Sequence, residues 1–226
     1  MPRISSTTLF NFTDKLEHLI DNLNHGFYCH NTYEKLPIKN NGYRVPMACF
    51  CDIPLSLIKE HFDWYGRYGI GIKRSFARSQ GVKPVWYVTR ESNLVRNLVK
   101  DKELKDYERK HLLPYLKQFM GNQLDNRLNR VRRKKFYDER EWRYIPNNSL
   151  VEPIFGLKAK REMEEAKQNG DRMNLELDKI EYIIIAKDID FEPLLEALKE
   201  ICEAAEMRFE TMISKILTAK QIERDF

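Results

Sequence analysis

The 226-residue sequence has few cysteines and no long apolar run. No stretch approaches the roughly 20 apolar residues that cross a bilayer as a helix, and the first residues lack the apolar region of a signal peptide. The four cysteines follow no zinc-ligand spacing, since C-x-C at Cys49 and Cys51 is too little by itself. The five histidines contain no H-E-x-x-H motif. We therefore expect a cytoplasmic protein with unbridged thiols, without a metal site and without a membrane span.

Phosphate-binding loops and DNA-reading motifs are also missing. Glycines at 66, 69 and 71 fit neither the G-x-G-x-x-G dinucleotide fingerprint nor a Walker loop, and a predicted strand follows them where both motifs require a helix. No segment has the pattern of a helix-turn-helix. No motif therefore assigns the chain to a common class of nucleotide-binding or DNA-binding protein.

The chain does contain enough apolar mass for a core, with 42% hydrophobic and 32% charged residues. Residues 152–226 hold 12 Lys and Arg against 18 Asp and Glu, so the preceding part holds the remaining 27 of 39 basic and 16 of 34 acidic residues. The densest basic stretch, RLNRVRRKK at 127–135, is predicted to be helical. A helix would place Arg127, Arg130 and Lys134 along one face, where they could contact nucleic acid or another anion. A solvated helix face is the alternative.

Mixed helix and strand patterns predict an α+β fold with a mixed sheet core. The clearest strand lies at 180–186 and the clearest amphipathic helix at 191–205. Residues 31–44 are polar and are predicted to form a loop. Residues 91–135 lack strong strand signals and predict a helical insertion. No repeat and no sharp linker divides the chain, so we expect one domain.

The most unusual cluster of charges is FYDEREWRY at 136–144. In an extended segment, Glu139, Glu141 and Arg143 share one face. Two carboxylates beside an arginine could position a substrate hydroxyl, bind a cation or act as a general base, so both glutamates are candidate catalytic residues. Glu141 is favoured because it lies inside the predicted strand, whereas Glu139 is expected to be solvated. An ordinary cross-strand ion pair is the alternative.

A second candidate is the glycine-rich aromatic segment WYGRYGIGI at 64–72. Its glycines permit close backbone approach, and Tyr65 and Tyr68 could stack on a base or a nicotinamide ring. The alternative is a bulged turn that leads into a strand. A nucleophile pair of Cys49 or Cys51 with His61 has no third residue to order it.

The motifs together resemble a known family. In chain order they are PMACFCDIPLS at 46–56, YGRYGIG at 65–71, PVWY at 84–87 and FYDEREWRYIP at 136–146. This series resembles the bacterial abortive-infection family AbiGi, and the likeness runs nearly end to end, as one AbiGi-like domain over 1–226. The resemblance implies a cytoplasmic bacterial protein linked to phage resistance. The family is often described as the antitoxin half of a two-gene pair, which implies a toxin as partner protein.

A weaker resemblance concerns the order strand, helix, glycine, strand at 7–29, which looks like the opening of ADP-ribosyltransferase-like domains. It implies NAD as a ligand and Glu139 or Glu141 as a late catalytic glutamate that binds a ribose hydroxyl. Asn11 stands where those domains usually have a histidine, although an amide can still hydrogen-bond a hydroxyl. The candidate nucleotide contacts are Asn11, Thr13, Tyr65, Tyr68 and Arg143.

Two functions therefore remain open. The first is an ADP-ribosyltransferase-like enzyme, or a protein that binds NAD or a related nucleotide. The second is a non-enzymatic antitoxin that binds a partner protein, or its own promoter through 127–135.

Overall fold

Short helices and strands follow one another in the computed structural model, which describes residues 6–38, 41–100, 107, 111–125, 130–147, 149, 151–155 and 170–225. These residues form two compact units. Unit 1 comprises the described residues of 1–27, 50–80 and 173–226, and unit 2 those of 28–49 and 81–172. The mixture of helices with a mixed sheet confirms the predicted α+β class. The single domain over 1–226 stays a prediction.

The elements of the described chain have the following bounds. The strands are β1 (Thr8–Thr13), β2 (Phe27–Tyr28), β3 (His30–Lys35), β4 (Asn41–Cys51), β5 (Tyr68–Lys73), β6 (Lys83–Pro84), β7 (Trp86–Val88), β8 (Leu116–Gln118), β9 (Gly121–Asp125), β10 (Arg130–Lys134), β11 (Glu141–Tyr144), β12 (Glu152–Phe155), β13 (Arg172–Met173), β14 (Ile180–Ile185) and β15 (Ile216–Thr218). The α-helices are α1 (Leu16–His25), α2 (Lys59–Tyr65), α3 (Arg74–Ser79), α4 (Asn93–Lys100), α5 (Phe191–Ala204), α6 (Phe209–Ile213) and α7 (Ala219–Asp225).

The sheet of unit 1 contains β15, β14, β5 and β1 in that order, and Cys51 of β4 pairs with Phe10 of β1. β14 and β15 are parallel, whereas β5 is antiparallel to both β14 and β1. The strand predicted at 180–186 and the helix predicted at 191–205 are confirmed as β14 and α5. Both carry clear apolar patterns, a continuous run in β14 and a helical stripe in α5.

Helix α1 ends at a glycine that the fold requires. Gly26 has a φ of 85°, and its N–H donates to the carbonyl oxygen of Asn22 at 2.9 Å. A Cβ atom at this position would lie 2.4 Å from the carbonyl oxygen of Met173. Glycine alone adopts this conformation readily and leaves room for that close approach.

In unit 2, β4 is flanked by β3 and β12, both of which pair with it antiparallel. β11 neighbours β4 and pairs with β6. The prediction that residues 31–44 form a loop is wrong, because β3 pairs with β4 from His30 opposite Met47 to Lys35 opposite Gly42. The side chains of β3 are mostly polar and half-exposed, so backbone pairing forms the strand without an apolar pattern.

The helical insertion predicted at 91–135 is only partly helical in the described residues. Helix α4 is present, but β8, β9 and β10 follow it. β9 and β10 form an antiparallel hairpin, and β8 pairs in parallel with β7. The helix predicted at 127–135 is therefore wrong over β10, while Arg127 lies outside the described residues. Cross-strand pairing overrides the weak helical preference of this basic segment.

Each unit has a hydrophobic cluster of its own. The cluster in unit 1 includes Phe10, Cys51, Ile53, Ile58, Phe62, Ile184, Ala219 and Ile222. The cluster in unit 2 includes Leu36, Tyr43, Val45, Met47, Val88, Val95, Leu113 and Leu116.

All four cysteines are among the described residues and none forms a disulfide. No described helix is both long enough and apolar enough to cross a membrane.

Candidate functional site

The charged residues predicted at 139–143 gather in the interior of unit 2. On β11, Glu141 and Arg143 are buried on the same face and Trp142 points elsewhere, as period-2 alternation predicts. Glu139 ends a 3₁₀ turn at Phe136–Glu139, and the left-handed Arg140 (φ 48°) connects this turn to β11. Glu139 is only 4% exposed, so the expectation that it is solvated is wrong.

Glu141 is held by two cations. One carboxylate oxygen accepts from Nε of Arg143 at 2.6 Å, and the other forms an ion pair with Nζ of Lys117. The backbone N–H of Glu141 donates to the phenolic oxygen of Tyr87 at 2.9 Å. Both oxygens of the side chain are therefore occupied, and the main chain is fixed as well.

Glu139 has the same arrangement with a different pair of cations. Its two oxygens lie 2.6 Å from Nζ of Lys134 and 2.9 Å from Nζ of Lys117. Both lysine ammonium groups also lie over the ring of Phe136, at 5.9 and 5.0 Å from its centroid. Lys117 thus bridges Glu139 and Glu141 within one buried site.

Arg143 completes the arrangement and is fully buried. Its Nη1 donates to the hydroxyl of Tyr43 at 2.5 Å and to the carbonyl oxygen of Pro114 at 2.8 Å. Its Nη2 donates to a carboxylate oxygen of Glu34 at 2.5 Å. We call the following six residues the charged cluster: Glu34, Lys117, Lys134, Glu139, Glu141 and Arg143. It contains three acidic and three basic side chains, so its formal charges balance.

The pKa values of the three carboxyl groups move in different directions. Burial by itself raises the pKa of Glu141, but Arg143 and Lys117 outweigh burial and hold that pKa well below its ordinary value. Burial also opposes the charge of Glu139, and Lys117 and Lys134 bring its pKa below the ordinary value. For Glu34, burial outweighs Lys117 and Arg143, so its pKa is raised. Glu139 and Glu141 are therefore the firmly ionised members of the cluster.

The charged cluster acts as a structural clamp, that is, a set of buried ion pairs that holds neighbouring strands together. The charged cluster ties together β3, β8, β10 and β11 through side chains that come from distant parts of the chain. The carboxylate oxygens of Glu139 and Glu141 already accept from cations, so a substrate hydroxyl would have to displace a lysine or an arginine. The catalytic role predicted for these two glutamates stays a prediction.

The other predicted nucleotide contacts belong to unit 1. The amide of Asn22 donates to Asn11 at 3.5 Å, and the hydroxyl of Thr13 lies 3.2 Å from Nδ1 of His18. Tyr68 is paired with Thr13 across β1 and β5, and its hydroxyl donates to Asp190 at 3.0 Å. Burial, together with this hydrogen bond, raises the pKa of Tyr68 to about 12.

Tyr68 lines an open cavity of about 620 Å³ in unit 1. The residues that line it are Asp14, Lys15, Leu16, Glu17, His18, Tyr68 and Asp190. Three of these side chains are acidic and one is a lysine, a balance that repels the phosphates of a nucleotide. Tyr65 is not part of this lining; it ends α2, with its ring 5.7 Å from that of His61.

The glycines of the 64–72 segment have a packing role. Gly69 lies opposite Phe12, and Gly71 lies opposite Phe10, in the pairing of β5 with β1. A Cβ atom at either glycine would come within 2.7 Å of the neighbouring phenylalanine ring. These glycines therefore make room for two aromatic rings of β1.

The predicted anion contacts separate in the structure. Arg130 is exposed on β10, whereas Lys134 bonds to Glu139 inside the charged cluster. Arg127 lies outside the described residues. The anion-binding role of these three residues stays a prediction, and of the two that the structure describes Arg130 has the exposed side chain.

The sequence of the chain also matches a known family. Residues 28–191 match the model of the family described as "Putative abortive phage resistance protein AbiGi, antitoxin". The chain belongs to the AbiGi family. The abortive phage resistance protein AbiGi of Lactococcus lactis subsp. cremoris is 26% identical over 235 aligned residues, which cover 85% of this chain and 92% of that protein. These findings confirm the AbiGi resemblance. No solved structure matches the chain, so the ADP-ribosyltransferase-like resemblance stays a prediction.

The range that matches the AbiGi family includes every member of the charged cluster, from Glu34 to Arg143. The sequence analysis predicted Glu139, Glu141 and Arg143 as site residues and Lys134 as an anion contact. It missed Glu34, Tyr43 and Lys117. Strand alternation connects only neighbours on one element, and these three residues come from β3, β4 and β8. One signal was available for Lys117, because it directly follows the largely apolar segment 112–116, which predicts a position next to the core.

Proposed function

We propose that this AbiGi-family protein acts in abortive phage resistance as an antitoxin that binds and restrains a partner protein. The family match over residues 28–191 carries the proposal, because the description of the family names both phage resistance and the antitoxin role. The lactococcal relative is likewise named an abortive phage resistance protein. The match includes all described residues of unit 2 but only 50–80 and 173–191 of unit 1, so we assign partner binding to unit 2.

The geometry of the charged cluster supports binding over catalysis. Catalytic carboxylates need an oxygen that can reach the substrate, and those of Glu139 and Glu141 are engaged by buried cations. A clamp of this kind favours one arrangement of the surrounding strands, and a preformed surface binds a partner with less loss of conformational freedom.

A growth assay tests the antitoxin role. Each gene that flanks the one for this chain is expressed alone and together with it in a bacterial host. We expect one flanking product to slow growth, co-expression to restore growth, and the two proteins to co-purify. The control is a copy of the gene with a stop codon in place of Tyr28, which accounts for the burden that expression places on the host.

Two results would contradict the proposal. If no flanking product slows growth, there is no toxin to restrain. If this chain alone lowers phage plating as strongly as the whole gene cluster does, it is an effector and not an antitoxin.

A further inference from the structure

The surface of unit 2 next to the charged cluster carries side chains to which no role has been assigned. From Arg133 to Tyr137 the side chains alternate, and Lys134 and Phe136 point into the unit. Lys135 and Tyr137 are exposed, and residue Tyr137 is 51% accessible. The segment therefore presents a cation and an aromatic ring to solvent on the face opposite the cluster.

The exposed ring of Tyr137 and the half-buried rings of Phe119 and Tyr87 form a fixed platform. Tyr137 stacks on Phe119 with ring centroids 5.3 Å apart and an angle of 28°, and the ring of Tyr87 meets Tyr137 edge-on at 5.4 Å. The N–H of Tyr137 donates to the carbonyl oxygen of Phe119. Because the hydroxyl of Tyr87 accepts from Glu141, the platform is connected to the buried charged cluster. Rings held in this way need little ordering when a flat partner stacks on them.

Cations also lie beside this platform. Nζ of Lys135 lies 5.8 and 5.6 Å from the ring centroids of Phe119 and Tyr137. Arg133, which strand alternation places on the same side as Lys135, contacts the sulfur of the exposed Met120 at 2.9 Å. The nearby carboxylate of Asp138 is 3.0 Å from Lys135 and offsets one of these charges.

We propose that the face formed by β10, Phe119 and Tyr137 binds single-stranded nucleic acid. Grooves for single strands combine basic side chains along the backbone with aromatic rings on which bases stack. Duplex DNA hides the faces of its bases, so the exposed ring of Tyr137 favours a single strand over a duplex. The proposal concerns a ligand of this chain itself and does not depend on its role as an antitoxin.

Fluorescence anisotropy with a labelled 20-nucleotide oligouridine tests the proposal on the full chain. We expect binding that weakens as salt rises from about 50 to about 200 mM, and weaker binding of a duplex of equal length. Tyr137→Ala should weaken binding roughly 5- to 100-fold with little change in salt dependence, because stacking is lost and no charge is removed. Tyr137→Phe should bind as the wild type does.

Variants that remove positive charge distinguish phosphate contacts on the proposed face from a general attraction of the anion to a basic protein. The double variant Arg133→Gln and Lys135→Gln should lower the slope of log affinity against log salt by up to ~0.7 for each lost phosphate contact. The matched control is Lys199→Gln with Lys220→Gln, two exposed lysines on helices of unit 1. It removes the same charge and should leave the slope nearly unchanged. Circular dichroism melts confirm that every variant is folded.

Several outcomes would overturn the proposal. One is no binding of the oligonucleotide at low salt, where even non-specific complexes form below about 100 µM. Another is an equal loss in the control variant, which would show bulk charge attraction only. A third is polyglutamate that binds as tightly as the oligonucleotide with no effect of Tyr137→Ala, which would identify an acidic protein surface as the occupant. The assay contains no partner protein, so its failure leaves the antitoxin proposal unaffected.

Discussion

Glu141 shows what a buried charge requires of its neighbours. An ion that leaves water for the protein interior loses hydration worth several kcal/mol, and attraction to a partner offsets this loss only when the geometry is good. Here Arg143 and Lys117 each occupy one carboxylate oxygen. If the carboxylate is neutralised, both cations remain buried with weaker partners, so the loss exceeds the value of one hydrogen bond.

We therefore expect Glu141→Gln to lower the free energy of unfolding by about 3–5 kcal/mol, as measured by urea denaturation. The control is Glu181→Gln, which removes an exposed ion pair with Lys73 at 3.6 Å and should cost no more than about 1 kcal/mol. Equal losses in the two variants would show that the charged cluster contributes no more than a surface pair.

The same residues set a pH dependence. The pKa values of Glu141 and Glu139 are lower in the folded protein than the ordinary value of 4.5, so their ionisation stabilises the fold above about pH 4.5. This contribution is lost as the pH falls through their folded pKa values. Glu34 acts in the opposite sense, because its raised pKa means that ionisation disfavours the fold.

We expect the urea midpoint of the wild type to fall steeply below pH 4.5. In Glu141→Gln the decline over the same range should be shallower, since the group whose pKa is most depressed no longer titrates. Urea titrations between about pH 7 and pH 3 measure both curves. Parallel curves would mean that acid sensitivity arises elsewhere.

At the scale of elements, close backbone approach decides how β1, α2 and β5 meet. Gly66 follows α2 with a φ of 105°, and its N–H donates to the carbonyl oxygen of Phe62. A Cβ atom here would lie 2.1 Å from the carbonyl oxygen of Thr13, the last residue of β1. The glycine therefore permits both the turn out of α2 and the contact with β1.

We expect Gly66→Ala to destabilise the protein by at least about 2 kcal/mol more than Gly81→Ala. Gly81 also has a positive φ, of 90°, but a Cβ atom there would meet nothing within 4 Å. Both variants place alanine at an unfavourable positive φ, at a cost of about 1–3 kcal/mol, and Gly66→Ala adds the collision with Thr13. Urea denaturation gives the difference, and similar losses would show that the backbone of β1 moves aside.

At the scale of the whole molecule, the chain passes more than once between two units that each have their own hydrophobic cluster. The charged cluster belongs to unit 2, and the paired glycines and phenylalanines belong to unit 1. Proteins open locally in cooperative groups of residues of this kind. A destabilising substitution in one unit is therefore expected to increase hydrogen exchange mainly at the backbone amides of that unit.

Hydrogen exchange measured by mass spectrometry tests this expectation. In Glu141→Gln, amides of β8 and β11 should lose more protection than those of β5 and β14, because the lost charge is in unit 2. In Gly66→Ala, the order should reverse. A uniform loss of protection across both units in either variant would show that the two units unfold together.

Elements with a local residue pattern could be predicted from the amino-acid sequence. The apolar run at β14 and the helical stripe of α5 identify these elements without any partner, and the alternation of Glu141 with Trp142 places the glutamate and Arg143 on one face. The series of motifs from 46 to 146 was also enough to indicate the AbiGi family, which the family match confirms.

Contacts between residues of different elements became evident only in the folded structure. The polar strand β3 and the basic strand β10 form because β4 and β9 offer backbone partners, and neither strand has an apolar pattern that could reveal it. Glu34, Tyr43 and Lys117 join Glu141 and Arg143 from elements up to 109 residues away in sequence. Ion pairing depends on distance in space and on exclusion of water, and strand or helix periodicity carries information only about neighbours on the same element.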